Sequence, residues 1–149
     1  MQRIGAEPAW SMGTGNGVVI AVVDTGVDLA HEDLAVPGKL VQGHDFEDRD
    51  SNPQDQHGHG THVAGIAAAA TNNGKGVAGT APSAKIMSVR VLNALGVGVS
   101  ITLIERQRAA EGIRWAVDHG ASVVNLSLGP IAGQGPGSDM AEAIAYAWS

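Results

Sequence analysis

The stretch V-V-I-A-V-V-D-T-G-V-D, residues 18–28, is the part of the sequence from which the fold can be inferred. Its apolar run is almost wholly β-branched and ends at an aspartate, Asp24, that is followed by a glycine-containing turn. An apolar run without alternating polar residues is typical of a strand buried on both faces, as in a parallel sheet covered by helices. We therefore predict a central parallel strand that ends directly before Asp24.

Strand and helix signals alternate along the rest of the chain. Further strands are expected at residues 40–46, 84–92 and 123–128. Helical spacing of small and apolar residues predicts helices from Thr61, over a segment that ends at a Gly120 cap, and after a Ser138 cap. This alternation predicts an α/β fold of three layers, a mainly parallel β-sheet with helices on both faces. Ligands of such sheets bind outside the carboxyl ends of the strands, where Asp24 is expected.

Composition limits the classes of function. The 149 residues amount to one domain, with a net charge of −6 and no cluster of basic residues, so we expect no nucleic-acid partner. No apolar stretch has the length of a membrane span, so we expect no membrane partner either. The absence of cysteine excludes disulfides and thiolate metal sites. The first twenty residues lack the pattern of a signal peptide.

The D-T-G phrase at Asp24 is compatible with two protease chemistries. It occurs in aspartic proteases, where two such aspartates share a proton, and an aspartate at a strand end can also orient the histidine of a Ser-His-Asp triad. The second hypothesis gains support from H-G-H-G-T-H-V-A-G, residues 57–65, where His59 follows Asp24 by 35 positions at the start of a small-residue helix. The aspartic-protease hypothesis requires a mostly β chain, which the helical segments do not favour.

With N-L-S-L-G at residues 125–129, these phrases, in this order, resemble the subtilisin-like serine proteases of the thermitase-like branch. The resemblance runs from Ile4 to Trp148. It implies that Asp24 is the triad acid and His59 the triad base. It also implies that a peptide substrate pairs with an extended segment, with a looser match for an opposing segment. The implied substrate-binding residues are Ser127, Leu128 and Gly129, and Gly96 and Gly98 on the opposing segment.

The serine phrase G-T-S-M-A of the family, and its oxyanion phrase A-A-G-N, do not occur in the sequence. The resemblance thus implies that residues 1–149 are the N-terminal portion of a single catalytic domain, with two of three triad members, and are inactive alone. The alternative is a non-catalytic, truncated domain that binds calcium or peptide. An incomplete sheet leaves an open edge, so we expect self-association. The resemblance further implies an extracellular location.

Two structural calcium sites are implied by the same resemblance, each built from hard oxygen ligands of the kind that calcium prefers. The first set comprises the side chains of Asp33 and Asn73 and the carbonyls of Ala70, Lys75 and Val77. The second set comprises Asp45, Asp48, Asp50, Asn52 and Gln54.

The three histidines of residues 57–62 also raise the hypothesis of a zinc site, since three imidazoles suffice for a catalytic zinc. The spacing H-x-H-x-x-H across a helix start does not put all three on one face. We therefore expect His62, one turn into the helix, to be buried and hydrogen-bonded rather than a ligand or a base.

Overall fold

The computed structural model describes residues 4–95, 102–129 and 137–149. Their helices and strands are, in chain order, α1 (Ala6–Ala9), β1 (Val19–Asp24), β2 (Leu40–Asp45), α2 (His59–Ala68), β3 (Lys85–Arg90), α3 (Leu103–Asp118), β4 (Val123–Asn125) and α4 (Gly137–Ala147). The strands form one sheet in the order β2-β3-β1-β4, and all neighbours run parallel. Parallel neighbours require crossover connections, which α2 and α3 supply.

Burial of β1 on both faces explains its unbroken apolar sequence. Ile20 and Val22 pack with the small residues of α2, while Ala21 and Val23 pack on the opposite face among residues of α3 and α4. Successive side chains of a strand point to opposite faces, so each layer takes every second residue. The predicted three-layer fold is confirmed, and β1 lies between two other strands as expected.

The helices begin and end for local reasons that the sequence carries. In α3, Thr102 accepts a hydrogen bond from the Glu105 backbone N–H while the Glu105 carboxylate accepts one from Thr102 N–H, which forms a capping box. Its C-terminal end is followed by Gly120 with φ of 86°, as predicted for the glycine cap. The short α1 was not predicted, since four residues carry too little periodicity.

The C-terminal elements differ in detail from the prediction. Strand β4 ends at Asn125 rather than at residue 128, and α4 begins at Gly137, so Ser138 lies inside the helix rather than capping it. Met140 and Ala143 of α4 are buried, whereas Trp148, just beyond it, is 86% exposed. In the ranges that the structure describes, no helix is both long and apolar enough to cross a membrane.

Candidate active site

Hydrogen bonds to its backbone carbonyl and to its carboxylate hold Asp24 at the carboxyl end of β1. Its carbonyl accepts hydrogen bonds from the backbone N–H groups of Val91 (2.9 Å) and Leu92 (3.2 Å), just after β3. Its side chain is fully buried. Carboxylate Oδ1 accepts a hydrogen bond from the backbone N–H of Thr25 (2.7 Å). The carboxylate therefore has a fixed place at the edge of the sheet where ligands of this fold class bind.

His59, the first residue of α2, faces this carboxylate. Its Nδ1 lies 2.7 Å from Asp24 Oδ1, and its side chain is 30% exposed. Because an ionised carboxylate only accepts hydrogen bonds, we assign the proton to Nδ1, which leaves Nε2 as a proton acceptor. Orientation of one imidazole nitrogen by a buried acid, in a ring that is partly exposed, is the geometry that a general base requires.

A close backbone contact sets the distance between the two elements. A Cβ at Gly60 would lie 2.1 Å from the carbonyl oxygen of Gly26 and 3.1 Å from Asp24 Cβ. The first turn of α2 therefore rests directly on the loop after β1. Gly60 was not predicted as a site residue, although a glycine directly after His59 in H-G-T-H permits a close backbone approach.

The proposed substrate segment leaves the sheet at the same edge as Asp24. Strand β4 pairs Val22 with Asn125, so residues 126–129 follow from the carboxyl end of β4. Ser127 Oγ exchanges hydrogen bonds with the Asn125 side chain (3.0 and 3.2 Å), and both Ser127 and Gly129 are exposed. Leu128 is partly buried. The predicted partners Gly96 and Gly98 lie outside the described residues.

The other two histidines near the site do not join it. His57 and His62 are both exposed, so the expectation that His62 is buried is wrong. The ring is directed to solvent because the buried side of α2 is formed by Gly60, Ala64 and Ala68. Among the residues that the structure describes, no three His, Cys, Asp or Glu side chains gather as a metal site requires. Zinc at this helix start has no support in the described structure.

The first calcium set surrounds one buried carboxylate. Asp33 is 1% exposed, and its oxygens accept hydrogen bonds from the Asn73 side-chain amide (2.7 Å) and the Val77 backbone N–H (2.9 Å). A Cβ at Gly76 would lie 2.2 Å from Asp33 Oδ2. Residues 70–78 line an open pocket of about 320 Å³. The structure therefore brings Asp33, Asn73 and the loop of Ala70, Lys75 and Val77 together. In this arrangement N–H groups of Asn73 and Val77 face the Asp33 carboxylate, and calcium at this set stays a prediction.

The second calcium set is arranged around a guanidinium instead. Arg90 Nη1 contacts Asp45 Oδ2 and Asp48 Oδ2, both at 2.7 Å, and Arg90 is 4% exposed. Burial lowers the pKa of Arg90, but the hydrogen bonds and charges of these two carboxylates raise it above its usual value. The side chains do not converge on one point, since the Arg90 cation already occupies the position between the two carboxylates.

The remaining members of the second set make other contacts. The side chain of Asp50 accepts a hydrogen bond from the backbone N–H of Asn52 (2.8 Å). Gln54 Oε1 accepts one from the backbone N–H of Leu29 (3.0 Å), so it is directed away from the carboxylates. As they stand, these residues do not fit a calcium ion. The prediction of calcium at this set stays a prediction.

Comparison with known proteins places this geometry in a family. The sequence profile of the subtilase family matches residues 15–148. The chain belongs to the subtilase family. Members of this family are serine proteases that hydrolyse peptide bonds. The family and the parallel sheet overturn the aspartic-protease hypothesis for D-T-G, because that hypothesis required a mostly β chain.

Individual relatives of this subtilase chain agree with the family assignment. It is 51% identical to thermitase of Thermoactinomyces vulgaris over 148 residues, which are 99% of this chain and 49% of thermitase. It is 46% identical to a cell wall-associated protease of Bacillus subtilis (strain 168) over 114 residues, 76% of this chain and 12% of that protein. The crystal structure of fervidolysin from Fervidobacterium pennivorans, a keratinolytic enzyme related to subtilisin, superposes with a TM-score of 0.76 at 38% identity. That match covers 95% of this chain and 21% of fervidolysin.

The chain therefore spans about half the length of thermitase. The structure brings together the predicted pair Asp24 and His59. Other contacts near the site were not predicted: Asp55 accepts hydrogen bonds from Thr25 and Thr61, and Arg90 pairs with Asp45 and Asp48. Asp55 carried one signal, an aspartate three residues before a turn glycine at a helix start.

Proposed function

We propose that this chain is the Asp and His portion of a serine endopeptidase, in which Asp24 orients His59 and His59 activates a serine supplied from outside residues 1–149. The observation that carries the proposal is the 2.7 Å contact between His59 Nδ1 and the buried Asp24 carboxylate. Under this proposal residues 1–149 form the N-terminal portion of a single catalytic domain. The length of thermitase supports this, since the chain matches 49% of it.

The chemistry follows from the two nitrogens of His59. Nε2 takes the proton of the serine hydroxyl as the oxygen attacks the peptide carbonyl carbon, and later gives that proton to the leaving amine. The buried Asp24 carboxylate holds the proton on Nδ1 and stabilises the imidazolium that forms between these steps. Without the serine, only a small part of the catalytic rate remains, because loss of the nucleophile costs roughly 10⁶-fold in subtilisin, a member of the same family.

The substrate of this proposal is an extended peptide or protein segment. Ser127, Leu128 and Gly129 leave the sheet on the side of Asp24, and a peptide that pairs with their backbone would add as a strand. Gly96 and Gly98 are proposed for the opposing segment. We also propose an extracellular location, supported by the likeness to a cell wall-associated protease.

Calcium is proposed as a structural ion at the first set. Asp33, Asn73 and the carbonyls of the loop would hold it, and the ion would fix the loop after α2 by bridging it to the segment of Asp33. Isothermal titration of the EDTA-treated chain with CaCl₂ tests this. We expect heat of binding that Asp33→Asn abolishes. An unchanged titration curve for Asp33→Asn would refute the site.

Self-association is proposed for the isolated chain, with a second copy as the partner. Strand β4 is at one end of the strand order, and an apolar groove of about 480 Å³ lies beside it. Its lining includes Ile113, Val124, Leu126, Ile144 and Trp148. An open strand edge beside exposed apolar side chains is a surface on which another chain can add.

The experiment that tests the endopeptidase proposal joins residues 1–149 to the C-terminal part of thermitase, which the family resemblance implies to carry the serine. Hydrolysis of a fluorogenic peptide is measured for this chimera and for two histidine variants from the same helix. We expect His59→Ala to lose roughly 10⁴-fold or more of the rate, whereas the exposed His62→Ala keeps it. A His59→Ala chimera that cleaves at the parent rate would refute the assignment.

A second measurement separates the proposal from the non-catalytic alternative. The isolated chain is treated with a fluorophosphonate probe for reactive serines, and we expect no covalent labelling. Labelling would show a nucleophile within the 149 residues and overturn the proposed division of the triad. A folded chimera that binds the peptide without cleaving it would instead favour a binding domain.

A further inference from the structure

One carboxylate outside the Asp24–His59 pair collects an unusual number of hydrogen bonds. Asp55 Oδ1 accepts from Thr25 Oγ1 (3.0 Å) and from the backbone N–H groups of His57 and Gly58 (both 2.8 Å). Asp55 Oδ2 accepts from the backbone N–H of Thr61 (3.0 Å) and from its hydroxyl (2.5 Å). Five donors therefore point at a single side chain.

These donors belong to the elements that carry both proposed catalytic groups. Thr25 directly follows Asp24, while His57 and Gly58 directly precede His59 in the chain. Thr61 lies two residues further along α2. The carboxylate of Asp55 thus connects the loop after β1 to the start of α2, in addition to the backbone contact of Gly60 with Gly26.

The Thr25 hydroxyl completes this connection. It donates to Asp55 Oδ1 and accepts from the backbone N–H of Gly60 (2.9 Å), while the Thr25 backbone N–H donates to Asp24 Oδ1. Because an ionised carboxylate can only accept, the hydroxyl hydrogen of Thr25 must point at Asp55. A lone pair of the Thr25 hydroxyl oxygen then accepts the hydrogen bond from the Gly60 backbone N–H. One continuous set of hydrogen bonds runs from Asp55 to the Asp24 carboxylate.

The arrangement requires the ionised form of Asp55. Burial raises the pKa of this carboxyl, but the hydrogen bonds from the Thr61 hydroxyl and from the backbone N–H groups of Gly58, His57 and Thr61 outweigh burial and hold the pKa below its usual value of 3.8. An asparagine would not replace it. In either orientation its NH₂ group would face at least two of the five donors, because three donors point at one oxygen and two at the other.

We propose that Asp55 is a positioning residue, whose ionised carboxylate fixes the start of α2 against the loop after β1 and so holds His59 Nδ1 on Asp24. The role of Asp55 in catalysis rests on the proposed function. The hydrogen bond that Asp55 is proposed to hold, between His59 Nδ1 and Asp24, is present in the 149-residue chain itself. Asp55 does not touch the reacting atoms. It acts through Thr25, Gly58 and Thr61.

The test observes the His59 to Asp24 hydrogen bond directly in the 149-residue chain. In ¹⁵N-labelled protein at neutral pH, the Nδ1 proton of His59 is followed by NMR, and its rate of exchange with water is compared with that of the β1 backbone amides. The variants are Asp55→Asn and, as a matched control with the same chemical change, Asp118→Asn. Asp118 is exposed on α3, and its Oδ1 accepts a hydrogen bond from the Tyr146 hydroxyl.

We expect Asp55→Asn to speed exchange of the His59 proton by about tenfold or more relative to the β1 amides, the factor that corresponds to hydrogen bonds to a charged group. The control should leave the ratio unchanged. If the His59 proton and the β1 amides accelerate by the same factor, Asp55 stabilises the whole fold and the positioning role is wrong. No acceleration of the His59 proton would overturn the proposal as well.

A milder variant keeps the test decisive if Asp55→Asn does not fold. Thr61→Val removes one of the five donors and leaves the charge in place, so we expect a selective acceleration of the His59 proton that is smaller than for Asp55→Asn. An unchanged exchange ratio in Thr61→Val would then refute the proposal. The result is independent of proteolysis, so an inactive thermitase chimera would count against the proposed function and not against the role of Asp55.

Discussion

Replacement of Gly60 by alanine probes how tightly the two candidate catalytic elements are packed. The added Cβ would lie 2.1 Å from Gly26 O, a distance at which Cβ atoms are essentially never found, and the separation must grow to at least 3.0 Å. The clash is between a Cβ on the α2 helix and the backbone carbonyl oxygen of Gly26, so rotation of a side chain cannot relieve it. The first turn of α2 must therefore move by about 0.9 Å or more, the difference between these two distances.

That displacement is large compared with the tolerance of the site. If His59 moved with its helix along the contact, its 2.7 Å distance to Asp24 would become about 3.6 Å, which is no longer a hydrogen bond. Forced overpacking of this kind costs about 1–3 kcal/mol of the free energy of unfolding. We expect Gly60→Ala to lose that amount and to lose the protected His59 Nδ1 proton.

Gly65 provides the matched control on the same helix. A Cβ there would meet only Val77 Cγ2, at 3.8 Å, which is an ordinary contact. Gly65→Ala should therefore raise the free energy of unfolding by about 0.5–1 kcal/mol. In a helix interior, alanine loses less backbone conformational entropy on folding than glycine does. Urea unfolding followed by far-ultraviolet circular dichroism should separate the two midpoints by on the order of 1 M. A Gly60→Ala midpoint at or above that of the parent chain would refute the packing argument.

Three further predictions concern other parts of the molecule. Arg90→Met leaves the buried Asp45 without its cation and should cost about 3–5 kcal/mol in urea unfolding with EDTA, whereas the more exposed Arg114→Met should change it by less than about 1 kcal/mol; equal effects would contradict the role of burial. The lowered pKa of Asp55 contributes stability above pH 3.8 that is lost as the pH falls through the folded-state pKa, so the urea midpoint of the parent should fall more steeply on acidification than that of Asp55→Asn. Light scattering at micromolar concentration should detect association that Trp148→Glu reduces, and a monomeric parent would contradict the proposed second copy.

The central strand and the pair Asp24 and His59 were predictable because their signals are local. An apolar β-branched run reports burial on both faces, and a histidine at the start of a small-residue helix carries a recognisable phrase. The layers follow from the alternation of such segments. The end of β4 at Asn125 was not predictable from residues 126–128, because Leu-Ser-Leu keeps the alternating pattern of a strand while the backbone leaves the sheet.

The supporting contacts were not predictable because they join residues distant in the chain. Arg90 looks like an ordinary strand residue until β2 places Asp45 beside it, and Asp55 looks like part of a solvated acidic loop until Thr25 and Thr61 converge on it. For the same reason the acidic residues around Asp45 were interpreted as ion ligands. Their partner in the described structure is a cation from a strand 45 positions away.

The strand order has a consequence for the synthesis of the chain. Strand β1 is made first, yet both of its neighbours, β3 and β4, are made later, and its N-terminal end is hydrogen-bonded to a residue 103 positions on. At ribosomal rates of about 5–20 residues per second, roughly 3–12 s pass between synthesis of the segment V-I-A-V-V and synthesis of its partner strand β3. Throughout that time an uncharged, β-prone segment without proline is exposed, which is the signature of an aggregation-prone sequence. The run that determines the fold is thus also a segment through which the nascent chain can aggregate until β3 is made.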